Sequence, residues 1–251
     1  NYIGGNADSQ GLQGTYRGVY DYNTFTTDEA MIPTRGGDWY DGGFWQALYK
    51  HQWTPSDNEL YNTWNYLYKV VAKCNQSLEI IEQHRSLLTD SQYAEAVTEI
   101  RGLRAMYYFY IMDMYGNVPL VTTTKLTVDD VVQSPRSSTF KYIYKELEEA
   151  APYLPDIHSN LQNDYYGRFT RPAAYFLLAK LALNAEVYDD DDWTDGSRPD
   201  GRTIKLDVDG QAMNAWKACE ARCDKITAEG YTLSADYASN FAVQNETSNE
   251  N

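Results

Sequence analysis

The stretch EIRGLRAMYYFYIMDMYGNVPLV, residues 99–121, decides the fold of this chain. Its apolar side chains recur at steps of three or four residues, which is the period of one face of an α-helix. With the residues just before it, the inner stripe consists of Val97, Ile100, Leu103, Tyr107, Ile111 and Met114. Gly116-Asn117 and then Pro119 are typical of a helix end, because glycine takes the left-handed conformation cheaply and proline cannot continue a helix. The pattern predicts a helix from Asp90 to Tyr115.

The same period recurs on both sides of this stretch. It predicts five more helices, at residues 12–22, 56–84, 139–153, 171–185 and 211–229. The connectors are long and irregular, at residues 23–55, 116–138, 155–170 and 188–210. Helix pairs that bury their faces against neighbouring pairs form helical repeats, but a regular array does not carry such connectors. The sequence therefore predicts a mostly α fold, a degenerate tetratricopeptide-like helical-repeat scaffold with long irregular loop insertions.

Composition narrows the classes of function. Asp and Glu outnumber Lys and Arg 36 to 21, giving a formal net charge of −15. This balance repels phosphate backbones and the basic residues are scattered, so we expect no nucleic-acid partner. The sequence has no apolar run of about 18 residues, so it predicts no membrane-spanning helix. Of the three cysteines, Cys219 and Cys223 share one face of the last helix with Met213, Trp216 and Ile226, and we expect this face and Cys74 to be buried.

Residues 26–49, TTDEAMIPTRGGDWYDGGFWQALY, form the opening insertion and combine aromatic rings with four glycines. Sugar rings stack their C–H faces on Trp and Tyr, while Asp and Arg bond the sugar hydroxyls. On this reading the rings form a ledge against which a ligand lies. On the other reading, the rings pack inside and hold the loop. The candidate ligand-binding residues are Arg35, Asp38, Trp39, Tyr40, Asp41 and Trp45.

Two further segments are rich in polar and aromatic residues. NLQNDYYGR, residues 160–168, is a second polar-aromatic cluster, although a turn leading into the next helix is favoured. YDDDDWTDG, residues 188–196, has the oxygen-rich composition of calcium loops. Its spacing does not match that of an EF-hand loop, so a solvated acidic loop is favoured over a calcium site.

The remaining charged and ionisable residues do not predict catalysis. We expect Arg101 and Arg104 to be structural, pairing with carboxylates such as Glu99 or anchoring loop carbonyls through the guanidinium fork. The three histidines, His51, His84 and His158, stand apart from one another and from any triad or metal partner. Loop carboxylates in the opening insertion could nominally form a glycosidase pair, but nothing distinguishes them from other acidic residues. We expect no enzymatic activity, no cofactor and no metal.

Three segments in a fixed order carry a resemblance to a known family. They are TWNYLYKVVAKCNQSLEII (63–81), the stretch at 99–121, and RFTRPAAYFLLAKLALNAEVY (168–188). Their signatures, Trp64 to Asn75, Arg101 to Pro119 and Arg168 to Ala174, resemble those of the SusD/RagB family of outer-membrane nutrient-binding lipoproteins of the Bacteroidetes. By this resemblance, residues 1–251 are a single SusD-like domain, in its N-terminal part only.

The resemblance implies a non-catalytic glycan-binding lipoprotein on the cell surface, held at the outer membrane by an N-terminal lipid anchor that this chain does not contain. Its partners would be an oligosaccharide and a SusC-like TonB-dependent transporter to which the sugar is delivered. Some relatives of the family handle peptides, so a RagB-like peptide- or protein-binding helical-repeat module is the alternative. Exposed rings in the loops favour sugar, whereas exposed rings in a helix-lined groove favour peptide.

Overall fold

The computed structural model describes residues 18–155 and 167–243, and these two segments are mostly helical. Their α-helices are α1 (Val19–Phe25), α2 (Phe44–Tyr49), α3 (Asn58–Gln83), α4 (Asp90–Tyr115), α5 (Arg136–Ala150), α6 (Arg171–Leu183), α7 (Ala185–Tyr188) and α8 (Ala215–Ala228). Two short antiparallel pairs accompany them, formed by β1 (Val118–Pro119) with β2 (Gln133–Ser134) and by β3 (Lys205–Val208) with β4 (Gln211–Asn214). The prediction of a mostly α fold with long irregular insertions is confirmed.

The chain divides into two compact units, Asn1–Ala72 and Lys73–Asn251, and the boundary lies within α3. In the first unit, α1 packs against α2. In the second unit, α4 packs against α5, and α6 packs against both α5 and α8. That one domain covers residues 1–251 stays a prediction. No helix in the two described segments is long and apolar enough to cross a membrane.

Helix α4 has the bounds that the sequence predicts. It begins with a capping box, in which the Thr89 hydroxyl accepts from the Gln92 N–H and the Gln92 side chain accepts from the Thr89 N–H. It ends at Gly116, whose φ of 71° few other residues adopt. Gly102, in the middle of the helix, lies against Phe169, and a Cβ there would fall 2.4 Å from two carbons of that ring. The close contact requires glycine at this position.

A buried charged cluster joins α4 to α5. Arg104 donates to the Glu146 carboxylate at 2.8 Å, to the Asn75 side chain at 2.8 Å and to the Thr122 carbonyl at 3.2 Å. Arg101 donates to the other oxygen of Glu146 at 2.7 Å. The predicted structural role of both arginines, including the anchoring of a loop carbonyl, is therefore confirmed.

The predicted partner of these arginines is wrong. Glu99 accepts from Arg168 at 2.6 Å, whereas Arg101 and Arg104 reach across to Glu146 on α5. Helix periodicity shows which residues share a face, but it does not show which residue of another helix lies opposite them.

Helix α8 differs from its prediction at its start. Residues 211–214 form strand β4, which pairs with β3 around a turn at Asp209-Gly210, where both residues have positive φ. Asn214 then caps the helix by accepting from the Lys217 N–H at 2.9 Å. An Asp-Gly pair flanked by alternating hydrophobic residues is a strong hairpin signal. The sequence alone therefore predicts this hairpin.

The buried face of α8 is also not the predicted one. The buried residues are Ala215, Ala218 and Arg222, whereas Trp216 and Cys223 are exposed. Arg222 is buried because it pairs with Glu148 and donates to the Asp207 carbonyl. A charged side chain satisfied by partners on other elements therefore takes the inner position. Of the predicted stripe, Trp216 and Cys223 face solvent, and Met213, Cys219 and Ile226 are half-buried. Cys74 is buried, as predicted.

Smaller differences concern the remaining helix ends. Helix α5 begins at Arg136, three residues before its predicted start, and ends at Ala150. The predicted helix at 171–185 is α6, which ends two residues early at Leu183, and the short α7 follows it at Ala185–Tyr188. The predicted helix at 12–22 falls mostly outside the described residues, and α1 occupies Val19–Phe25. The polar-aromatic residues Asn163, Asp164, Tyr165 and Tyr166 also lie outside the described residues.

Candidate functional site

The opening insertion is held at its two ends by a hydrogen bond between residues that are far apart in sequence. The His51 ring nitrogen Nε2 lies 2.7 Å from the carbonyl oxygen of Thr26. Because a carbonyl oxygen only accepts, this nitrogen carries the proton and donates it. Inside the insertion, the Gln46 side chain donates to the Thr34 hydroxyl at 2.6 Å. These two bonds hold the segment between α1 and the end of α2 as a closed loop.

A tight turn places two of the candidate residues side by side. Arg35 and Asp38 exchange both backbone hydrogen bonds, at 3.0 and 2.9 Å, and Gly36 between them has a φ of 61°. The side chains of Arg35 and Asp38 are exposed. The turn therefore presents a guanidinium and a carboxylate to solvent from an ordered backbone.

Trp39 follows this turn directly and is 52% exposed, with Tyr40 beside it at 58%. The φ of Trp39 is 61° and that of Asp41 is 43°, which is unusual for residues other than glycine and a marked outlier for a bulky one. The Tyr40 carbonyl accepts from the Gly43 N–H at 2.7 Å and closes the next turn. The indole of Trp39 is thus directed outward by a backbone that both flanking turns fix.

Trp45, in contrast to Trp39, is buried and only 6% exposed. Its ring centroid lies 5.3 Å from that of Phe25 and 4.9 Å from that of Phe44, both in edge-on geometry. Its Nε1–H donates to the Asp41 carboxylate at 2.6 Å. The Trp39 ring lies against it, with centroids 6.2 Å apart. Trp45 and Asp41 therefore support Trp39 from below.

The structure brings the six candidate residues into one exposed turn and its support. Arg35, Asp38, Trp39 and Tyr40 face solvent, while Trp45 is inside and Asp41 binds it. Trp45 thus packs inside and holds the loop, as the second reading predicts, whereas Trp39 is exposed. That a ligand lies against Trp39 stays a prediction. His51, Thr34 and Gln46 were missed, because bonds that span 25 and 12 residues leave no periodic signal in the sequence.

The acidic loop at 188–196 is organised by the protein's own donors. Asp191 accepts from both the N–H and the hydroxyl of Ser137 at the start of α5, and Asp190 accepts from the Asp192 N–H. Asp190 is buried, so the prediction of a fully solvated loop is wrong for that residue. In the described part of the chain, no three His, Cys, Asp or Glu side chains are grouped to hold a metal ion.

Comparisons with known proteins agree with this architecture. Residues 10–183 match a family model named SusD-like_3 and described as "Starch-binding associating with outer membrane". The chain is 25% identical over 242 residues to the starch-binding protein SusD of Bacteroides thetaiotaomicron, a match that covers 96% of this chain and 37% of that protein. The chain thus spans well under half the length of this relative.

Two solved structures extend the comparison to the fold. A SusD superfamily protein from Bacteroides vulgatus matches with a TM-score of 0.73 and 17% identity, over 97% of this chain and 44% of that one. A structure solved with a xylogluco-oligosaccharide matches with a TM-score of 0.66 and 22% identity, over 94% of this chain and 43% of that one. At these identities the two likenesses establish the fold.

Proposed function

The chain belongs to the SusD-like family, and we propose that it binds carbohydrate without catalysis, with the opening insertion as a contact surface. The observation that carries this proposal is the placement of Trp39, a half-exposed indole on a fixed turn beside an exposed arginine and aspartate. A flat aromatic face next to hydrogen-bonding side chains is the combination that a sugar ring requires, because its C–H face is apolar and its rim carries hydroxyls.

The roles of the candidate residues differ within this proposal. Trp39 and Tyr40 provide the apolar face, and Arg35 and Asp38 provide donors and acceptors for hydroxyls. Trp45 and Asp41 make no direct stacking contact with sugar. They hold the Trp39 ring in place, so the site is preorganised before the ligand arrives.

The backbone conformation of Trp39 supports a functional interpretation. A left-handed conformation costs an L-residue about 1–2 kcal/mol, and such strain persists only where the surroundings fix it. Here the Arg35–Asp38 bridge precedes the residue and the Tyr40–Gly43 turn follows it. Strained residues cluster at binding sites, and this one exposes a large ring where a smaller, polar residue would be less costly.

The cellular setting is part of the same proposal. The description of the matching family supports an association with the outer membrane. We propose that the protein is anchored there by an N-terminal lipid, is exposed at the cell surface, and delivers oligosaccharides to a SusC-like TonB-dependent transporter. The starch-binding relative supports an oligosaccharide ligand.

Calorimetry with soluble starch, laminarin and xyloglucan tests the proposal. We expect the chain to bind at least one of these glycans and Trp39→Ala to lower the affinity at least about tenfold, the size of a well-placed binding contact. Trp53→Ala is the matched control, because Trp53 is 41% exposed and lies just outside the opening insertion. It should leave the affinity unchanged.

Two results would contradict the proposal. One is the absence of binding to every glycan of a broad panel, and the other is a Trp39→Ala affinity equal to that of the wild type. Binding of unstructured peptides in place of glycans would instead support the alternative, a peptide-binding helical-repeat module.

A further inference from the structure

Trp216, at the start of α8, is 49% exposed and lies against a loop that has no side chain at the point of contact. A Cβ added to Gly201 would fall 2.2 Å from Nε1 of the indole and 2.8 Å from Cδ1 and Cε2. The backbone approaches the ring this closely only because residue 201 is glycine. One part of the indole is therefore seated on backbone, while about half of its surface faces solvent.

The Gly201 backbone under this ring is held through both its N–H and its carbonyl. The Gly201 N–H donates to the Glu186 carboxylate at 2.7 Å, and the Gly201 carbonyl accepts from the Ala215 N–H at 2.9 Å. The second bond joins the loop to the residue just before Trp216. The backbone under the ring is therefore joined directly to the start of the helix that carries the ring.

The neighbours of Gly201 carry a charged pair that is open to solvent. Arg202 donates to the two Asp200 carboxylate oxygens, through Nε at 3.0 Å and Nη2 at 2.7 Å. The Arg202 side chain is 73% exposed and that of Asp200 is 37% exposed. Asp200 also accepts from the Arg202 backbone N–H at 2.8 Å, so both of its oxygens are used to hold this arginine. A guanidinium has five N–H donors, so Arg202 retains donors for a ligand. The combination of indole, arginine and aspartate is the one found in the opening insertion.

Trp193 is an exposed tryptophan whose ring already contacts two arginines. It is 48% exposed, almost the same as Trp216. The Arg198 guanidinium lies 4.3 Å from its ring centroid, and that of Arg136 lies 5.7 Å away. These cations cover the ring, so exposure alone does not make a surface for stacking.

We propose that Trp216, with Asp200 and Arg202, forms a second carbohydrate contact in the Lys73–Asn251 unit. The indole stacks on a sugar ring, and the arginine, which the aspartate holds in place, donates to the sugar hydroxyls. This inference rests on the proposed function, since it takes the same class of ligand. A polysaccharide offers many identical sugars, so a second contact raises the apparent affinity for long chains when both contacts are engaged.

Fluorine NMR of the chain labelled with 5-fluorotryptophan tests this contact directly. Trp216→Phe and Trp193→Phe assign the two resonances, and the probe is the glycan that the wild type binds in calorimetry. We expect that glycan to shift the Trp216 resonance, also in the Trp39→Ala background, and to leave the Trp193 resonance in place.

Calorimetry of single variants provides the second readout. Trp216→Ala and Arg202→Ala should each lower the affinity for the long polysaccharide about two- to tenfold, the range of a single aromatic contact. Trp193→Ala should not change it. Because the Arg202 side chain is largely exposed, we expect Arg202→Ala to fold normally, so it tests the contact even if Trp216→Ala misfolds.

The outcomes separate the two proposals. If the wild type binds a glycan, but the Trp216 resonance is unmoved and both variants bind as the wild type does, the second contact is overturned and the proposed function stands. If the wild type binds no glycan, the proposed function fails and this inference fails with it.

Discussion

The α4–α5 cluster and the opening insertion both contain arginines and carboxylates, but use them in opposite ways. In the cluster, Arg104 and Glu146 are buried and bind each other, so side chains hold the helices together. In the insertion, backbone bonds fix the turn, and the side chains of Arg35 and Asp38 face solvent. The difference indicates that bonds between side chains occupy the charged groups of the cluster, whereas a turn closed by backbone bonds leaves the side chains of Arg35 and Asp38 exposed to solvent.

The sharpest way to break this comparison is to neutralise Glu146. Burial opposes the charged form, but the hydrogen bonds and charges of Arg101 and Arg104 outweigh it and lower the pKa of Glu146. Glu146→Gln leaves the buried Arg104 without its counter-charge, and we expect the free energy of unfolding to fall by about 3–5 kcal/mol. Urea unfolding measures the loss.

Glu149→Gln is the matched control for this change. Glu149 pairs with the same Arg101, but its side chain is 47% exposed. Removing an exposed ion pair costs less than about 1 kcal/mol. Equal losses for Glu146→Gln and Glu149→Gln would show that burial does not distinguish the cluster from the surface.

The next largest effect is expected at Gly102. In Gly102→Ala the new methyl group would overlap the Phe169 ring, at an overpacking cost of about 1–3 kcal/mol. Alanine gains about 1 kcal/mol in helix propensity, so we expect a net destabilisation that is largest if the ring cannot move. Differential scanning calorimetry measures the change in Tm.

Two further variants decide the cause of that destabilisation. Phe169→Leu in the Gly102→Ala background should recover part of the loss, since the smaller side chain yields space. Gly37→Ala, in the opening insertion, meets nothing within 4 Å and should change stability by less than about 0.5 kcal/mol. A destabilised Gly37→Ala would contradict the view that packing is the cause.

The sequence predicts the helices better than it predicts their partners. The bounds of α4 follow from it because a period, a cap and a stop signal coincide at one segment. The inner face of α8 does not, since Arg222 is buried by Glu148, 74 residues away. The hairpin before α8 is predictable from the sequence, because Asp209-Gly210 is a recognisable turn.

The candidate site shows the same limit on a smaller scale. Composition singles out the opening insertion, since rings, glycines and charges coincide there. It does not tell Trp39 from Trp45. The contacts of Trp45 with Phe25 and Asp41 place that ring inside, and sequence composition does not show them. Such contacts join residues that follow no common period.

A pH dependence is expected where a carboxylate holds a loop to a helix. Glu79 on α3 accepts from the Thr124 N–H and hydroxyl and from the Thr123 hydroxyl, and these bonds lower its pKa to about 2 from the usual 4.5. Because the folded pKa lies below the unfolded one, this stabilisation is fully present above pH 4.5 and is lost as the pH falls toward 2.

The difference in unfolding free energy between the wild type and Glu79→Gln measures this contribution. We expect a constant difference from about pH 7 to about pH 5 and a smaller one at about pH 3, where the carboxylate is partly protonated in the unfolded chain. A difference that does not vary between these pH values would show that the charge of Glu79 does not hold the loop.

A smaller effect is expected where side chains do stabilise the insertion. Asp41→Asn keeps an oxygen acceptor and tolerates the positive φ, but it removes the charge that faces the Trp45 Nε1–H. We expect a loss of about 0.5–1.5 kcal/mol in stability, a shifted indole N–H resonance of Trp45, and weaker glycan binding. Asp28→Asn, also exposed in the insertion, is the control. An unshifted Trp45 resonance would contradict the supporting role of Asp41.

The smallest change in stability is expected at Trp39, although its effect on binding is the largest. Because the ring is half exposed, Trp39→Ala should change the free energy of unfolding by less than about 0.5 kcal/mol. Trp39→Gly should be more stable than Trp39→Ala by about 1 kcal/mol, since glycine adopts a φ of 61° without strain. Both variants should lose glycan affinity alike.

At Trp53 we expect the opposite order of stability for the glycine and alanine variants. The structure records positive φ at Trp39, Asp41, His51 and Asp209 among the described residues other than glycine, and Trp53 is not one of them. Trp53→Gly should therefore be less stable than Trp53→Ala by about 0.4–1 kcal/mol, because glycine has more conformational freedom to lose on folding. If glycine were the less stable substitution at both positions, the backbone at Trp39 would not be strained. The backbone conformation of Trp39 would then no longer support a functional interpretation of its exposed ring.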